Sequence, residues 1–222
     1  MSSLSITAFD GQPLANRFFR SRPSNDSLAL VLPGINYNAD MPLIYYTTQV
    51  LLFHGIDVLQ LRPNYQEPAF KKAPLQDCLT RMAHDTRAGL EAGLAAGSYR
   101  QVILAGKSIG TLSMALLLSG STGLEKAITL WLTPLLHDAL VIKAAMNHAG
   151  PAFFMLGGGD ESFSPQALRQ IQDHRAVQAW IAEGVDHSLE FPDDPLGSLD
   201  VLLAGMQALS TFLSEVLPAP NG

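Results

Sequence analysis

The sequence predicts an α/β protein in which helices cover both faces of a mostly parallel, twisted β-sheet. Short runs that are apolar at every position alternate along the chain with longer segments of helical periodicity. Continuously apolar runs are typical of strands buried on both faces, and helical crossovers of right-handed sense connect such strands. The chain shows no internal repeat and no linker-like change in composition. We therefore predict one domain over residues 1–222.

The first part of the chain predicts a small antiparallel unit at the edge of this sheet. Leu4–Phe9 has the short, β-rich pattern of an edge strand. The Asp10-Gly11 pair favours a tight turn, so we expect Arg17–Arg20 to be the hairpin partner of that strand.

Beyond this unit the predicted strands and helices follow one another in alternation. The strands are Leu28–Leu32, Ile56–Leu61, Val102–Ala105, Ala127–Leu132, Pro151–Leu156 and Ala176–Ile181. The helices are Pro42–His54, Pro74–Ala96, Ile109–Leu118, Asp138–Asn147, Pro165–Gln172 and Leu199–Leu217. Proline at several helix starts and Gly55 after the first helix match the usual preferences at helix ends. Because reactive groups in such sheets lie on loops at the carboxyl ends of the strands, we expect the functional residues there.

The composition is that of a globular protein with a sizeable core, since 47% of the residues are hydrophobic and 15% are charged. The formal net charge of −6 argues against a nucleic-acid partner, because binding phosphates requires clustered cations. The only adjacent basic pair, Lys71-Lys72, is interpreted as part of a solvated loop. Cys78 is the only cysteine, so no disulfide can form within the chain.

The location of the protein is inferred only by elimination. Residues 1–10 lack the basic start and the apolar core of a secretory signal. No apolar stretch is expected to approach the roughly 20 residues that span a bilayer. We therefore expect a cytoplasmic protein without a membrane partner, and the sequence leaves its oligomeric state open.

One pentapeptide has the pattern GxSxG, which marks an activated serine when it joins a strand to a helix. It reads Gly106-Lys107-Ser108-Ile109-Gly110 and lies between a predicted strand and a predicted helix. A serine there occupies the apex of a tight turn, and the flanking glycines leave room for the neighbouring strand and helix. The helix start also directs unpaired N–H groups towards the same point. The pattern predicts Ser108 as a nucleophile.

A serine nucleophile needs a base, usually a histidine that a carboxylate orients. His187 follows the last predicted strand, from which it can reach the serine turn, whereas the other histidines fall in or beside helices without metal-site spacing. Asp160 follows the preceding strand and is the predicted acid. Asp138 and Glu161 are alternative acids, and Asp160 could instead cap the next helix. Asp186 is predicted to stabilise the histidine loop.

Two backbone N–H groups are expected to bind the oxyanion formed when the serine attacks a carbonyl. One belongs to Ile109, the residue after the nucleophile. The second belongs to Ile35 or Asn36, in the loop after the first buried strand. The side chains of Asn36 and Tyr37 are candidates for substrate contact, although an asparagine here is equally expected to stabilise the turn.

These motifs, in the chain order Ser, Asp, His, resemble those of the α/β-hydrolase family. The resemblance runs from about Leu28 to the carboxyl terminus and looks closest to the small dienelactone-hydrolase-like members. Dienelactone hydrolases carry a cysteine nucleophile where this chain has Ser108, so their lactone substrate is not expected here. The His-Gly pair that commonly precedes the oxyanion donor in esterases and lipases is replaced by Pro33-Gly34.

Larger members of the family insert a helical lid after the fourth of these strands. Here only Thr133–Asp138 and one helix follow that strand, which predicts a lidless protein with a shallow, open pocket. The pocket is expected to be bordered by Tyr37, Tyr65, Thr133 and Leu135.

The resemblance implies a serine hydrolase that cleaves a small or exposed ester or thioester through an acyl-enzyme. The expected partner is a small-molecule acyl substrate, and neither a metal nor an organic cofactor is implied. A thioesterase, peptidase or acyltransferase on the same triad is an alternative, because fold and triad do not separate these activities. The second alternative is a binding protein that kept the hydrolase fold but does not catalyse a reaction.

Overall fold

A seven-stranded β-sheet organises the part of the chain that this computed structural model describes, residues 1–21 and 26–217. The strands are β1 Asn16–Phe19, β2 Ser27–Leu32, β3 Asp57–Leu61, β4 Gln101–Ser108, β5 Ile128–Pro134, β6 Ala152–Gly157 and β7 Gln178–Ala182. They lie in the order β1-β3-β2-β4-β5-β6-β7. Only β1 runs antiparallel to its neighbour, so the sheet is mostly parallel, as the sequence predicts.

Helices cover both faces of the sheet. They are α1 Pro42–Phe53, α2 Pro68–Lys72, α3 Leu75–Ala95, α4 Ile109–Gly120, α5 Ala139–Asn147, α6 Pro165–His174 and α7 Pro195–Val216. Successive strand residues point to opposite faces, so each continuously apolar strand feeds two separate clusters. Leu30 packs in the cluster under α3, α4, α5 and α6, and its neighbour Val31 packs in the cluster under α1 and α7. This two-sided burial explains why the strands are apolar at every position.

The predicted amino-terminal hairpin is wrong. Leu4–Phe9 forms no continuous strand and makes only isolated bridges, Thr7 with Pro13 within the turn region and Ser2 with Phe18. The strand β1 pairs instead with β3. The outer edge of β3 presents a row of N–H and C=O groups that need partners, and β1 satisfies them.

Two helical boundaries also differ from the sequence-based expectations. The Lys71-Lys72 pair is exposed, but it forms the last turn of the short helix α2, where cations interact favourably with the helix dipole. The helix α7 begins at Pro195 rather than Leu199, because the Asp194 side chain caps it by accepting a hydrogen bond from Gly197 N at 2.9 Å.

The helix α7 is long and apolar enough to cross a membrane by length and composition alone, contrary to the expectation that no stretch would qualify. A helix that packs in a protein core satisfies the same criteria. Met206, Leu209 and Phe212 of α7 are buried in the cluster shared with α1. These contacts account for the apolar composition of its inner face.

The sheet topology determines where a site can form. The strand order reverses direction at β2, whose neighbours are β3 on one side and β4 on the other. The strands β5 and β6 are joined by residues 135–151, which contain α5 and its flanking turns, so no lid domain is inserted there. The predicted range of the single domain includes residues 22–25 and 218–222, which lie outside the described part of the chain, and the domain count stays a prediction.

Candidate active site

The turn between β4 and α4 holds Ser108 in a strained backbone conformation. Ser108 has φ 54° and ψ −121°, outside the regions that a serine normally occupies, at a cost of about 1–3 kcal/mol. A Cβ on Gly110 would lie 2.1 Å from the carbonyl oxygen of Leu32, and one on Gly106 would lie 2.6 Å from the carbonyl oxygen of Gly110. No side chain fits at either position. Gly110 allows the start of α4 to pack against the end of β2, and Gly106 allows β4 to pack against the first turn of α4.

A buried carboxylate orients the predicted base. His187 Nδ1 lies 2.7 Å from Asp160 Oδ2, and the Asp160 side chain is almost fully buried. A carboxylate only accepts hydrogen bonds, so Nδ1 carries the proton and Nε2 of the neutral ring is left as the acceptor. The other carboxylate oxygen of Asp160 accepts a hydrogen bond from Ser162 N at 2.7 Å. Both oxygens are therefore fixed, and the ring has one orientation.

The three predicted triad residues lie at the carboxyl ends of parallel strands. Ser108 ends β4, Asp160 follows β6 and His187 follows β7, and these strands are parallel. Within the described residues the Ser108 hydroxyl makes no hydrogen bond to the His187 ring. The histidine loop turns sharply there, with Leu189 at φ 64°.

The alternative acids have other roles in the structure. Asp138 caps α5, accepting hydrogen bonds from Leu140 N at 2.8 Å and Val141 N at 3.3 Å. Ser164, rather than Asp160, caps α6. Glu161 is exposed.

Asp186 supports the histidine loop, as predicted, because its Oδ1 atom accepts hydrogen bonds from Ser188 N at 2.7 Å and Glu190 N at 3.1 Å. The orienting contact to His187 thus falls to Asp160 alone among these carboxylates.

The loop after β2 forms a tight turn beside Ser108. Gly34 N donates to the carbonyl oxygen of Tyr37 at 3.0 Å, and the carbonyl oxygen of Ile35 accepts from Gln66 Nε2 at 2.9 Å. Among the described residues neither Ile35 N nor Asn36 N donates a hydrogen bond to the protein. We call residues 33–37 the oxyanion turn, after the role that the sequence predicts for the N–H groups of Ile35 and Asn36.

The structure divides the residues of the predicted pocket border: Tyr65 and Asn36 line one open pocket, and Tyr37 lines another. Thr133 is fully buried, and Tyr37 and Tyr65 are 5% and 4% exposed. Asn36 is exposed, and its side-chain oxygen accepts a hydrogen bond from Gln66 Nε2.

The hydroxyls of both tyrosines are used within the protein. Tyr37 Oη accepts from Leu43 N at 2.9 Å at the start of α1, and Tyr65 Oη lies 3.4 Å from Ser113 Oγ. Burial raises the pKa of each hydroxyl to about 12. Neither phenol therefore ionises in the neutral range.

An open pocket of about 450 Å³ lies beside the oxyanion turn. Its lining includes Gly34, Ile35, Asn36, Arg62, Tyr65 and Gln66. Tyr37 lines a different pocket of about 340 Å³ between the starts of α1 and α7. Among the described residues no group of three or more His, Cys, Asp or Glu side chains is arranged to hold a metal ion.

Sequence reasoning missed Lys107, the residue before the nucleophile. Its side chain is 2% exposed, and its Nζ atom lies 4.6 Å from the ring centroid of Tyr37. Burial lowers the pKa of Lys107 to about 8, against the opposing effect of nearby carboxylates. Strand alternation could have found it, because Ile103, Ala105 and Lys107 share one face of β4 and the first two are core residues.

Solved structures resemble this one over nearly the whole chain. The lidless α/β serine hydrolase XC6422 from Xanthomonas campestris is 18% identical, with a TM-score of 0.74 over 99% of this chain and 96% of that one. Est1E from Butyrivibrio proteoclasticus, solved with ferulic acid bound, is 14% identical, with a TM-score of 0.73 over 95% and 98%.

A cold-adapted esterase from an Arctic intertidal metagenomic library is 17% identical, with a TM-score of 0.69 over 98% of this chain and 93% of that one. No protein-family model matches the chain, and no curated protein matches it. At these identities the likeness concerns the fold. The chain therefore has the α/β-hydrolase fold in its lidless form.

Proposed function

We propose that this protein is a serine hydrolase that cleaves a small or exposed ester or thioester through an acyl-enzyme formed on Ser108. The observation that carries the proposal is the 2.7 Å hydrogen bond between His187 and the buried Asp160, at the sheet edge where Ser108 ends β4. A histidine fixed in this way has a free Nε2 acceptor, which is the arrangement a serine nucleophile needs. The strained Ser108 backbone supports the same role.

The reaction follows from these groups in two halves. His187 Nε2 takes the proton of the Ser108 hydroxyl as Oγ bonds to the carbonyl carbon, and Asp160 stabilises the imidazolium. The N–H groups of Ile109 and Ile35 bind the negative oxygen. The C–O or C–S bond then breaks, and the leaving alcohol or thiol takes the proton from His187. His187 then deprotonates a water molecule, which attacks the acyl carbon. The bond between Ser108 Oγ and the acyl group breaks, His187 returns the proton to Oγ, and the acid is released.

A fluorophosphonate probe tests the proposal directly. We expect the wild-type protein to gain one probe adduct by intact-mass spectrometry, on the peptide that contains Ser108. The Ser108→Ala variant, confirmed as folded by circular dichroism, should gain none. A folded wild-type protein that is not labelled would contradict the proposal and favour a protein that binds without turnover.

A substrate series tests the substrate class. The pocket of about 450 Å³ is lined by the oxyanion turn but by neither Ser108 nor His187. The expectation of a short acyl group therefore rests on the connection between β5 and β6, which contains no lid domain to enclose a long acyl chain. We expect p-nitrophenyl acetate and butyrate to have higher kcat/KM than the decanoate and palmitate. A feruloyl ester belongs in the panel, because the similar fold of Est1E has ferulic acid bound. Activity that rises steadily with chain length would contradict a small or exposed substrate.

A further inference from the structure

Lys107 is a buried cation that the proposed triad chemistry does not use. It is among the largest fully buried side chains of the described residues. Within that part of the chain its ammonium makes no hydrogen bond and no ion pair, and its one specific contact is with the ring of Tyr37. Burying an ammonium group without such partners lowers the stability of the folded protein. We therefore asked which function Lys107 could have at this position.

The Lys107 side chain passes directly beneath the oxyanion turn. Its Cδ atom would be 3.3 Å from a Cβ placed on Gly34, and the Ser108 Cβ would be 3.5 Å from the same point. Its Nζ atom reaches the ring of Tyr37, the last residue of the turn, at 4.6 Å from the centroid. A cation at this distance from a ring face is attracted to it, and the attraction increases when both are desolvated. The lysine stem therefore passes close to Gly34, and its ammonium contacts Tyr37.

The charges around Lys107 come from the acid and base loops. The groups that act on its ammonium are Asp160, from the loop after β6, and Asp186 and Glu190, from the loop after β7. All three carboxylates favour the protonated lysine, and burial opposes them. The same two loops carry the predicted acid and base. One cation thus lies among the nucleophile, oxyanion and histidine loops.

We propose that Lys107 is a positioning residue, whose ammonium, bound to the face of Tyr37 and attracted by the carboxylates of the neighbouring loops, holds the oxyanion turn against Ser108. This inference rests on the proposed serine-hydrolase function. Negative charge on the carbonyl oxygen develops only in the transition state, so a displaced Ile35 N–H lowers kcat and leaves substrate binding nearly unchanged.

The Lys107→Met variant tests the role, because methionine keeps an unbranched apolar stem and removes the charge. We expect kcat to fall by about tenfold to a hundredfold, with KM changed by no more than about twofold. We expect the thermal midpoint to stay the same or rise, because replacing a buried charge with an apolar residue is often neutral or stabilising. A lysine with a merely structural role would lower stability and activity together. A folded variant with wild-type kcat would overturn the proposal.

A double-mutant cycle tests the contact with Tyr37. We expect Tyr37→Leu to lower kcat, and the Lys107→Met/Tyr37→Leu double variant to lose no more than about twofold beyond the worse single variant. Additive losses in kcat would overturn the contact as the source of the effect. The matched control is Lys143→Met on α5, which removes an exposed lysine outside the site and should leave kcat unchanged.

The pH profile gives a second readout. If the protonated lysine is the positioning form, wild-type kcat should fall as pH rises through about 8, where Lys107 loses its proton. The Lys107→Met variant should lack this alkaline decline. The same decline in both proteins would overturn the assignment to Lys107.

Fluorophosphonate labelling separates failure of this inference from failure of the proposed function. We expect Lys107→Met to be labelled completely at Ser108 but more slowly than wild type. Equal labelling rates would overturn the role of Lys107 alone. An unlabelled wild-type protein would overturn the hydrolase function and this inference with it.

Discussion

Two buried charged side chains, at opposite ends of the parallel strands, have very different surroundings. We call the end where the parallel strands begin the amino edge of the sheet and the end where they finish the carboxyl edge. Asp57 begins β3 at the amino edge and is 2% exposed. Its Oδ1 atom accepts from Ser21 N at 2.7 Å, and its Oδ2 atom accepts from the Tyr99 hydroxyl at 2.8 Å, with Arg20 Nη1 at 3.7 Å. Lys107 is equally buried at the carboxyl edge, but within residues 1–21 and 26–217 its ammonium makes no hydrogen bond or ion pair, and its one specific contact is with the face of Tyr37.

Backbone strain follows the same division. Among the described residues Ser108, Thr133 and Leu189 have positive φ values at the carboxyl edge, and Asp26 is the only other non-glycine residue that does. Thr133 also sits at a bulge, since Lys107 pairs with Leu132 and Ser108 pairs with Pro134. The buried charge at the amino edge is fully hydrogen-bonded, which favours stability. The carboxyl edge instead contains strained backbone and a buried ammonium group, and unfavourable terms of this kind are common at functional sites.

Substitutions of the predicted triad residues, at the carboxyl edge, should have the largest effect on kcat. We expect Ser108→Ala and His187→Ala each to lower kcat by on the order of 10⁴ or more, and the double variant to lose little beyond either one. The reason is that hydroxyl and imidazole act as one unit in a single proton transfer. Steady-state kinetics on p-nitrophenyl acetate measures this. Losses that multiply in the double variant would show that the two residues act separately.

Removing the amino-edge charge should have the opposite signature. Asp57→Ala removes the carboxylate that accepts hydrogen bonds from the Tyr99 hydroxyl and Ser21 N, and we expect the free energy of unfolding to fall by about 4 kcal/mol. We expect kcat of the folded fraction to stay unchanged. Urea denaturation measures the first and titrated active-site kinetics the second. Asp57→Asn, which keeps one acceptor oxygen, is the matched control and should lose less stability. A large loss of kcat in Asp57→Ala would contradict the prediction that this residue contributes to stability and not to activity.

The pH dependence of stability sharpens the contrast further. Burial lowers the pKa of Lys107 from 10.5 to about 8. Between these values the unfolded chain keeps the lysine proton that the native protein has released. The unfolded state thus binds more protons, and native stability rises with pH across this window, by on the order of 3 kcal/mol for the lysine. The difference in unfolding free energy between wild type and Lys107→Met, followed from pH 7 to 10.5, should change by that amount in favour of wild type. A constant difference would mean that the lysine titrates normally.

Some features of the fold and the site could be predicted from the sequence, and others depend on tertiary packing. The buried strands were predictable because both faces of each strand are apolar, and the positions of Ser108, Asp160 and His187 followed from the meeting of parallel strand ends at one edge. The pairing of β1 with β3 was not predictable, because it depends on which strand, distant in sequence, has an unpaired side. The burial of Thr133 depends on a bulge that no local pattern encodes.

The burial of Lys107 was in principle readable from alternation along β4, but the motif directs attention to the serine beside it. The partner of its ammonium was not readable, since Tyr37 lies on another loop. Local pattern thus identifies which side chains meet at the carboxyl edge, and tertiary packing determines how they are held.

The smallest expected effect separates the two candidate acids. Asp138 caps α5 and lies near the same sheet edge as Asp160, yet only Asp160 contacts His187. Asp138→Ala should cost about 1 kcal/mol of unfolding free energy, the usual value of an N-cap, because Leu140 N and Val141 N lose their acceptor. Its kcat should match wild type, whereas Asp160→Asn, a change of similar size, should approach the loss of His187→Ala, since the imidazolium loses its stabilising charge. If Asp138→Ala lost activity and Asp160→Asn kept it, the orienting role would belong to Asp138, and the hydrogen bond to His187 would be structural.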